Sequence, residues 1–293
     1  PFKTRRPLSL WLSLWLYTVP VTLLCRLAGL DVSLGALRWA AFPASTRQLW
    51  FISDYLVLLL CVPLLNRLLR GLPRCAHKGV LLVLAVPLIL YPTLFGQDGI
   101  LADTAWMFLY DYLLAAYLRR WPDNRLSQFL NRPAAALALG LGLPLANTAV
   151  RAVLEWQGAT DSKAFQYIAY YRTALGALPG LLAALALFHF FKNWDLGSNR
   201  FVNALAGTTL GVYILHQVPV LRDFLWNGIF HAQAHHGSAG YTLLVIVLTF
   251  AGCAAIDALR TKFIMQPLQR SRAFTALCAK GDALAAEIAK PND

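Results

Sequence analysis

Charge is scarce in this chain. Asp, Glu, Lys and Arg make up 14% of its 293 residues, and acidic side chains number only 14. A soluble domain carries about 25% charged residues to keep its surface wet, so this composition argues against one. Cysteine is equally unhelpful to a soluble or secreted reading. Cys25, Cys61, Cys75, Cys253 and Cys278 are odd in number and show no Cys-x-x-Cys spacing, which leaves neither a disulfide framework nor a thiolate metal site. The sequence also lacks a repeat of fixed period, a low-complexity linker and a polar stretch long enough for a soluble insert. No separate basic domain exists, so the net charge of +12 gives nucleic acid no footing.

Apolar residues fill the space left: 58% of the chain, with a mean hydropathy of +0.53. Eight runs, near 8–25, 49–66, 79–95, 101–118, 133–153, 172–191, 203–221 and 241–260, approach the roughly 17 to 25 residues that a helix needs to cross about 30 Å of hydrocarbon. The run at 101–118 is the weakest, because it contains Asp103 and Asp111. Prolines at 20, 63, 87, 144, 179 and 219 interrupt six of the runs, as membrane helices tolerate and soluble ones do not. The reading is an all-α integral membrane protein, a polytopic bundle of about eight transmembrane helices. One membrane domain covers 1–260 and a cytoplasmic tail covers 261–293. Within that tail, 271–289 predicts one short helix interrupted at Gly281, and the loop 26–48, with Trp39 inside it and Trp50 just beyond, predicts an interfacial amphipathic segment.

Basic residues orient the spans, since they concentrate in segments that stay cytoplasmic. With the N-terminus inside, nineteen of the 26 lysines and arginines fall on the inner side and the tail returns there. The expectation is N-in and C-in, in a multi-pass protein of a cell's inner membrane whose constant partners are membrane lipids.

Ionisable groups inside spans cost at least about 2.5 to 3.5 kcal/mol on insertion scales, so each asks for a partner or a use. In GTTLGVYILHQVPVLRDFLW (207–226), His216 lies three residues after Tyr213, and Arg222 and Trp226 follow at the outer edge. Helical rise puts His216 about 20 Å from an inner edge near 203, in the outer half of the bilayer. Pro219 removes the amide that would bond the Leu215 carbonyl. Trp50, Asp54 and Tyr55 enter at the same depth from the second span, Asn147 and Arg151 from the fifth, and Tyr167, Tyr170, Tyr171 and Arg172 from the start of the sixth. Such a set predicts an outward-facing polar pocket for a hydroxylated, glycan-like molecule. The alternative is a hydrogen-bonding staple between helices, with Arg222 and Trp226 as interface anchors. Asp111 asks for a buried partner or a proton, and His189 is placed at the inner interface. No metal site is expected.

Three stretches carry a resemblance. LWFISDYLVLLLCVPLLNRLLR (49–70), FLYDYLLAAYLRR (108–120) and NRFVNALAGTTLGVYILHQVPVLRDFLWNGIF (199–230) resemble segments of the acyltransferase family 3 membrane proteins, in the family's order. The third is the most specific, through its Tyr-x-x-His, arginine and tryptophan. The resemblance implies about ten helices, acyl-CoA as a donor from the cytoplasm, and acylation, most often acetylation, of a surface polysaccharide or lipid-linked glycan. With the pocket above it implies Trp50, Asp54, Tyr55, Arg151, Tyr213, Arg222 and Trp226 for the acceptor, and Lys3 and Arg6, with lysine in place of the usual arginine, for the coenzyme phosphates. His216 is the catalytic candidate within this chain, placed at the acceptor site rather than as the family's own first-helix base.

The family's own signature is a basic residue followed eleven positions later by a histidine. It has no copy here, because His77, His189, His216, His231, His235 and His236 are preceded at that spacing by Asn66, Leu178, Leu205, Val220, Phe224 and Leu225. The expectation is therefore a reading frame extending upstream by about two helices, with an incomplete or inactive fragment as the consequence for this chain alone. Two other readings stay open: a transporter or flippase for a lipid-linked sugar, with Asp111 on its path, and a non-catalytic partner subunit.

Overall fold

The computed structural model describes residues 3–46, 49–101, 103–173, 177–195, 197–235 and 237–290, apart from the side chains of Arg172 and Thr173. Every regular element among them is helical: α1 Arg5–Leu27, α2 Leu34–Ala41, α3 Trp50–Arg70, α4 Arg74–Phe95, α5 Thr104–Arg120, α6 Arg125–Leu130, α7 Pro133–Trp156, α8 Lys163–Thr173, α9 Leu178–Asn193, α10 Arg200–Gln217, α11 Pro219–Ile229, α12 Ala239–Arg270 and α13 Arg272–Ile288. Short π-helical turns run through α4, α11 and α12.

The few polar residues between apolar runs start the helices. Side chains of Ser33, Asp103, Asn124, Asn199, Ser238 and Ser271 each accept a bond from a first-turn amide, at 2.8 to 3.4 Å. In an apolar setting these amides have no water to turn to, so the caps decide where each helix begins. Pro133 opens α7 and Pro219 opens α11, at first positions where a missing amide costs nothing.

Among the described residues five helices are long and apolar enough to cross a membrane, namely α1, α3, α4, α7 and α12, and α10 with α11 makes a sixth if that bent pair is one span. Their outward faces are greasy: Leu243, Leu244, Ile246, Val247 and Leu248 of α12 are each more than half exposed. A surface like that belongs in lipid. The chain is thus an all-α membrane protein, and two of the eight expected runs form helices shorter than the rest. The run at 101–118 yields a helix of 17 residues and that at 172–191 one of 16. At 1.5 Å per residue these reach about 24 to 26 Å, because Asp103 caps the first and Lys163–Thr173 forms a separate helix before the second.

The chain divides into two compact units, 1–67 with 198–293, and 68–197. In the first, Leu10, Leu14 and Tyr17 of α1 pack with Ile52 and Leu56 of α3, Val212, Ile214 and Leu215 of α10, and Cys253 and Ala254 of α12. α2, in the segment expected at the interface, folds back so that Thr18 of α1 donates to the Ala40 carbonyl at 2.8 Å. In the second unit, Leu81, Leu88 and Ile89 of α4 pack on Met107, Tyr110, Leu113 and Leu114 of α5. Gly140 lets Leu187 approach so closely that a Cβ there would sit 2.8 Å from it, which seats α9 along α7. At one end of this unit Arg120 donates to the carbonyls of Leu69 and Leu72, and Arg74 pairs with Asp123 at 2.8 Å. At the other, Tyr167 and Tyr171 of α8 donate to the carbonyls of Leu94 and Thr93, and Tyr170 to Asp98 at 2.9 Å. These tyrosines, expected in a pocket, are ties between α8 and the end of α4.

The tail is neither broken nor loose. α13 runs through Gly281, whose bare Cα is needed because a Cβ would lie 2.6 Å from Thr4 Oγ1. Its neighbour Asp282 accepts the Thr4 amide at 2.6 Å, capping α1 from 278 residues away. Arg5 reaches Gln269 at 3.0 Å, and Arg67 reaches the Ile288 carbonyl at 3.2 Å. The first helix and the tail helix therefore share one end of this unit.

The Thr4 amide holds the Asp282 carboxyl below the usual aspartate range. A lowered carboxylate contributes fully above its ordinary value of about 3.9, and the contribution is lost only as pH falls through the lowered one. Tail docking should accordingly persist at neutral and mildly acid pH. In limited proteolysis of the detergent-extracted protein, Gly281→Val should speed cleavage within α13, and adding Thr4→Gly should restore protection. Wild-type protection in Gly281→Val alone would disprove the docking.

Candidate functional site

His216 sits one residue before the end of α10, and the chain then turns by 80° into α11. Pro219 explains the turn, since it drives Val218 into an extended conformation (φ −60°, ψ 118°) and ends the helix. The histidine Nδ1 lies 2.7 Å from the Val212 carbonyl, to which it donates. The basic nitrogen of the neutral ring is then Nε2, and it receives the Gln217 side-chain amide at 3.0 Å. A single tautomer is fixed by a bond within the histidine's own helix.

Rings from two helices gather beside it. The Tyr213 ring stands edge-on to His216 at 6.1 Å and meets Phe51 of α3 at 5.8 Å. Phe51 in turn packs edge-on to Trp50 at 5.9 Å and stacks with Tyr55 at 6.4 Å. Trp50, Tyr55, Tyr213 and His216 thus belong to one group, with Phe51 as the link that the sequence reading passed over. Trp50 and Tyr55 keep about 40% of their surface free, whereas Asp54 is buried to 6% on the neighbouring face of α3. The result is an aromatic surface beside an imidazole with a defined lone pair.

The other expected members have partners of their own. Beyond the bend, Arg222 pairs with its neighbour Asp223 at 3.1 Å and Trp226 packs on Phe230 at 6.0 Å. Arg151 belongs to the second unit, where it pairs with Glu155 at 2.8 Å and covers the Phe165 ring. Asn147 donates to the Ile168 carbonyl. Lys3 and Arg6 are exposed at the start of α1, where the Thr4 amide between them donates to Asp282. His189, expected at an interface, is 3% exposed and bonds Asn131 Oδ1 at 2.9 Å. Among the described residues no group of three metal-ligating side chains occurs.

A second polar centre, missed in the sequence, lies in the first unit. Asp257 of α12 is 3% exposed. It accepts the Tyr17 hydroxyl from α1 and pairs with Arg260, one turn on, at 2.9 Å. The Arg260 guanidinium also lies over the Tyr17 ring at 4.5 Å. Gly211 of α10 closes the site, because a Cβ there would overlap the carboxylate and come within 2.6 Å of the Asp257 Cβ. Counted along the helices, Tyr17 and Gly211 are about 16 to 18 Å from Arg5 and Arg200, and Asp257 about 20 Å from Arg270. All three meet at one level, well inside the helices. The available signal was an acid and a base three residues apart in IDALR, facing the glycine of TTLGVY.

The family model described as an acyltransferase domain, that of acyltransferase family 3, matches residues 2–258. No curated protein and no solved structure matches the chain.

Removing one partner of a buried ion pair costs about 3 to 5 kcal/mol, because the other charge is left stranded. Asp257→Leu should therefore lower the melting temperature of the purified protein sharply, and Asp257→Leu with Arg260→Met should recover part of the loss. Equal losses in the single and double variants would show that the pair does not hold the unit together.

Proposed function

The chain belongs to acyltransferase family 3, and from that premise we propose that it serves as an O-acyltransferase of a cell's inner membrane, moving an acyl group, acetyl in the simplest case, from acyl-CoA to a hydroxyl of a surface polysaccharide or lipid-linked glycan. The observation that carries this reading is the fixed tautomer of His216 beside the aromatic group of Trp50, Tyr55 and Tyr213. Sugar rings present C–H faces that settle on aromatic surfaces, and hydroxyls that seek a hydrogen-bond acceptor. Nε2 of His216 is such an acceptor on a half-buried ring, once the Gln217 amide that donates to it gives way to the hydroxyl.

In the proposed step the acceptor hydroxyl gives its proton to His216 Nε2 while its oxygen attacks the thioester carbonyl. The tetrahedral intermediate collapses with cleavage of the carbon–sulfur bond, and the thiolate of the coenzyme takes the proton from the imidazolium. A positioned histidine contributes about 10² to 10⁴ in rate through such proton transfer. The positive-inside bias puts the end shared by Lys3, Arg67 and the tail in the cytoplasm, so His216, about 24 Å along α10 from Arg200, works from the outer half. Arg222 and Trp226 then belong to the rim beyond the bend rather than to the reacting centre. Asp54 supports α3 from its buried face, and Arg151 serves the second unit through Glu155.

The test is acyl transfer per folded molecule, with the full reading frame reconstituted in liposomes and supplied with acetyl-CoA and a lipid-linked glycan. His216→Ala should lower the rate about a hundredfold or more with extraction and melting unchanged. Unchanged specific activity in that variant would reject the role of His216, and absence of transfer by the wild type would reject the reading as a whole.

A further inference from the structure

The second unit has a cavity of about 250 Å³ that none of the chemistry above uses, lined by Leu130, Asn131, Pro133, Phe190, Asn193 and Trp194. It lies where α6 hands over to α7 and where α9 ends, and Arg132 and Lys192 are sequence neighbours of its lining residues. We propose that this cavity holds the adenine ring of the acyl-CoA donor, an inference that rests on the donor assignment above.

Three features of the cavity select such a ligand. The walls are flat and apolar. Trp194 packs edge-on to Phe190 at 5.0 Å and stacks with Phe191 at 6.1 Å, so its indole is braced for a planar ring to lie against it. The polar groups are paired as a nucleobase edge requires. Asn131 Oδ1 accepts two bonds, from His189 Nδ1 at 2.9 Å and from Asn193 Nδ2 at 2.9 Å. Those bonds fix both amides, and leave Asn131 Nδ2 to donate and Asn193 Oδ1 to accept. A donor beside an acceptor matches the N7 and N6 amino edge of adenine, as a single asparagine does elsewhere when it binds adenine through both atoms of its amide. The size also discriminates, because clefts that enclose a whole ligand run from about 300 to 1,000 Å³ and this one fits a single ring system.

His189 has a role in this arrangement that its burial alone does not explain. Its Nδ1–H turns the Asn131 amide so that the nitrogen, not the oxygen, is left over. Lys192 precedes Asn193 and Arg132 follows Asn131, both exposed, so cations flank the two amides where the ribose phosphates of the donor would emerge. The cavity opens at the end of the unit that carries Arg74, Arg120 and Arg125, which the positive-inside rule makes cytoplasmic. A donor arriving from the cytoplasm meets it first.

The experiment uses the full-length protein in nanodiscs and titrates three probes: CoA, adenosine 3′,5′-bisphosphate, which keeps the base and phosphates, and acetyl-pantetheine, which lacks them. Stacking of a base on an aromatic side chain is lost in an alanine variant, so Trp194→Ala should weaken CoA and adenosine 3′,5′-bisphosphate about tenfold or more, and Trp194→Phe should restore most of it. Asn193→Leu should weaken both probes as well. Acetyl-pantetheine should be used equally by wild type and variants, and Trp39→Ala, on the other unit, should change nothing. If CoA binds but neither Trp194→Ala nor Asn193→Leu weakens it, the cavity assignment falls while the donor assignment stands. If the wild type binds no CoA and turns over no acetyl-pantetheine, both fall.

Discussion

A carboxylate buried in an apolar unit is the constraint on which the first unit depends. Asp257 would be costly there alone, and its position is tolerable only because Tyr17 donates to it and Arg260 neutralises it. The two partners arrive differently. Arg260 is one turn away on the same helix, so it comes with α12 whatever the tertiary fold, whereas Tyr17 comes from α1 and is present only if α1 packs in register. Gly211 adds the same demand on α10, since any larger residue would drive the helix off the carboxylate. One buried acid therefore fixes three helices relative to each other, where apolar contacts alone would allow sliding. The core of Leu14, Ile52, Ile214 and Leu215 then brings α3 against this frame.

That frame explains how a histidine near a helix end acquires a defined environment. Membrane helices seldom stop within hydrocarbon, because the last carbonyls need partners. α10 stops at Pro219, and the backbone answers locally: the Val218 amide bonds the Ile214 carbonyl, and the Arg222 amide bonds that of Val218. His216 spends its Nδ1 on Val212 in the same turn, so the ring is oriented by its own helix and does not staple α10 to another. The choice left open by the sequence between a staple and a ligand-facing imidazole thus tilts toward the second on geometry. Phe51 matters for the same reason, as the ring that joins α3 to Tyr213.

Much of the fold was legible, and the reason is the period and length of the apolar runs. Five of the expected spans match full-length helices, and the polar residues between them reappear as caps. The run at 101–118 gave a shorter helix because Asp103 served as its cap, and that at 172–191 because Lys163–Thr173 formed its own helix. The family was legible in three motifs. The site was only partly so. Trp50, Tyr55, Tyr213 and His216 do gather, since all four sit within a turn or two of helix ends that meet. Arg222 and Trp226 follow a bend of 80°, and no local pattern reports an angle. Tyr17 and Asp257 are separated by 240 residues, and a pairing over that distance has no signature in one sequence. Gly281 was misread for a simpler reason: glycine both breaks helices and lets them touch, and only the neighbour, here Thr4, decides which.

The start of α1 shows how far a motif can be carried without its surroundings. Lys3 and Arg6 resemble a family pair to which coenzyme phosphates are ascribed, with lysine in place of the usual arginine, and a helix N-terminus is a natural place for an anion. In this chain the anion is Asp282. Its carboxylate accepts the Thr4 amide that a phosphate oxygen would otherwise take, and α13 is seated against Thr4 through Gly281. A phosphate bound at that amide would have to displace the tail helix along with its contacts to Arg5 and Arg67 through Gln269 and Ile288. The exposed side chains of Lys3 and Arg6 remain able to attract an anion from solution, but attraction across a wet surface is weak beside bonds to fixed amides. The same comparison favours the braced rings and paired amides at Asn131, Asn193 and Trp194, where recognition rests on shape and on hydrogen bonds that the fold has already oriented.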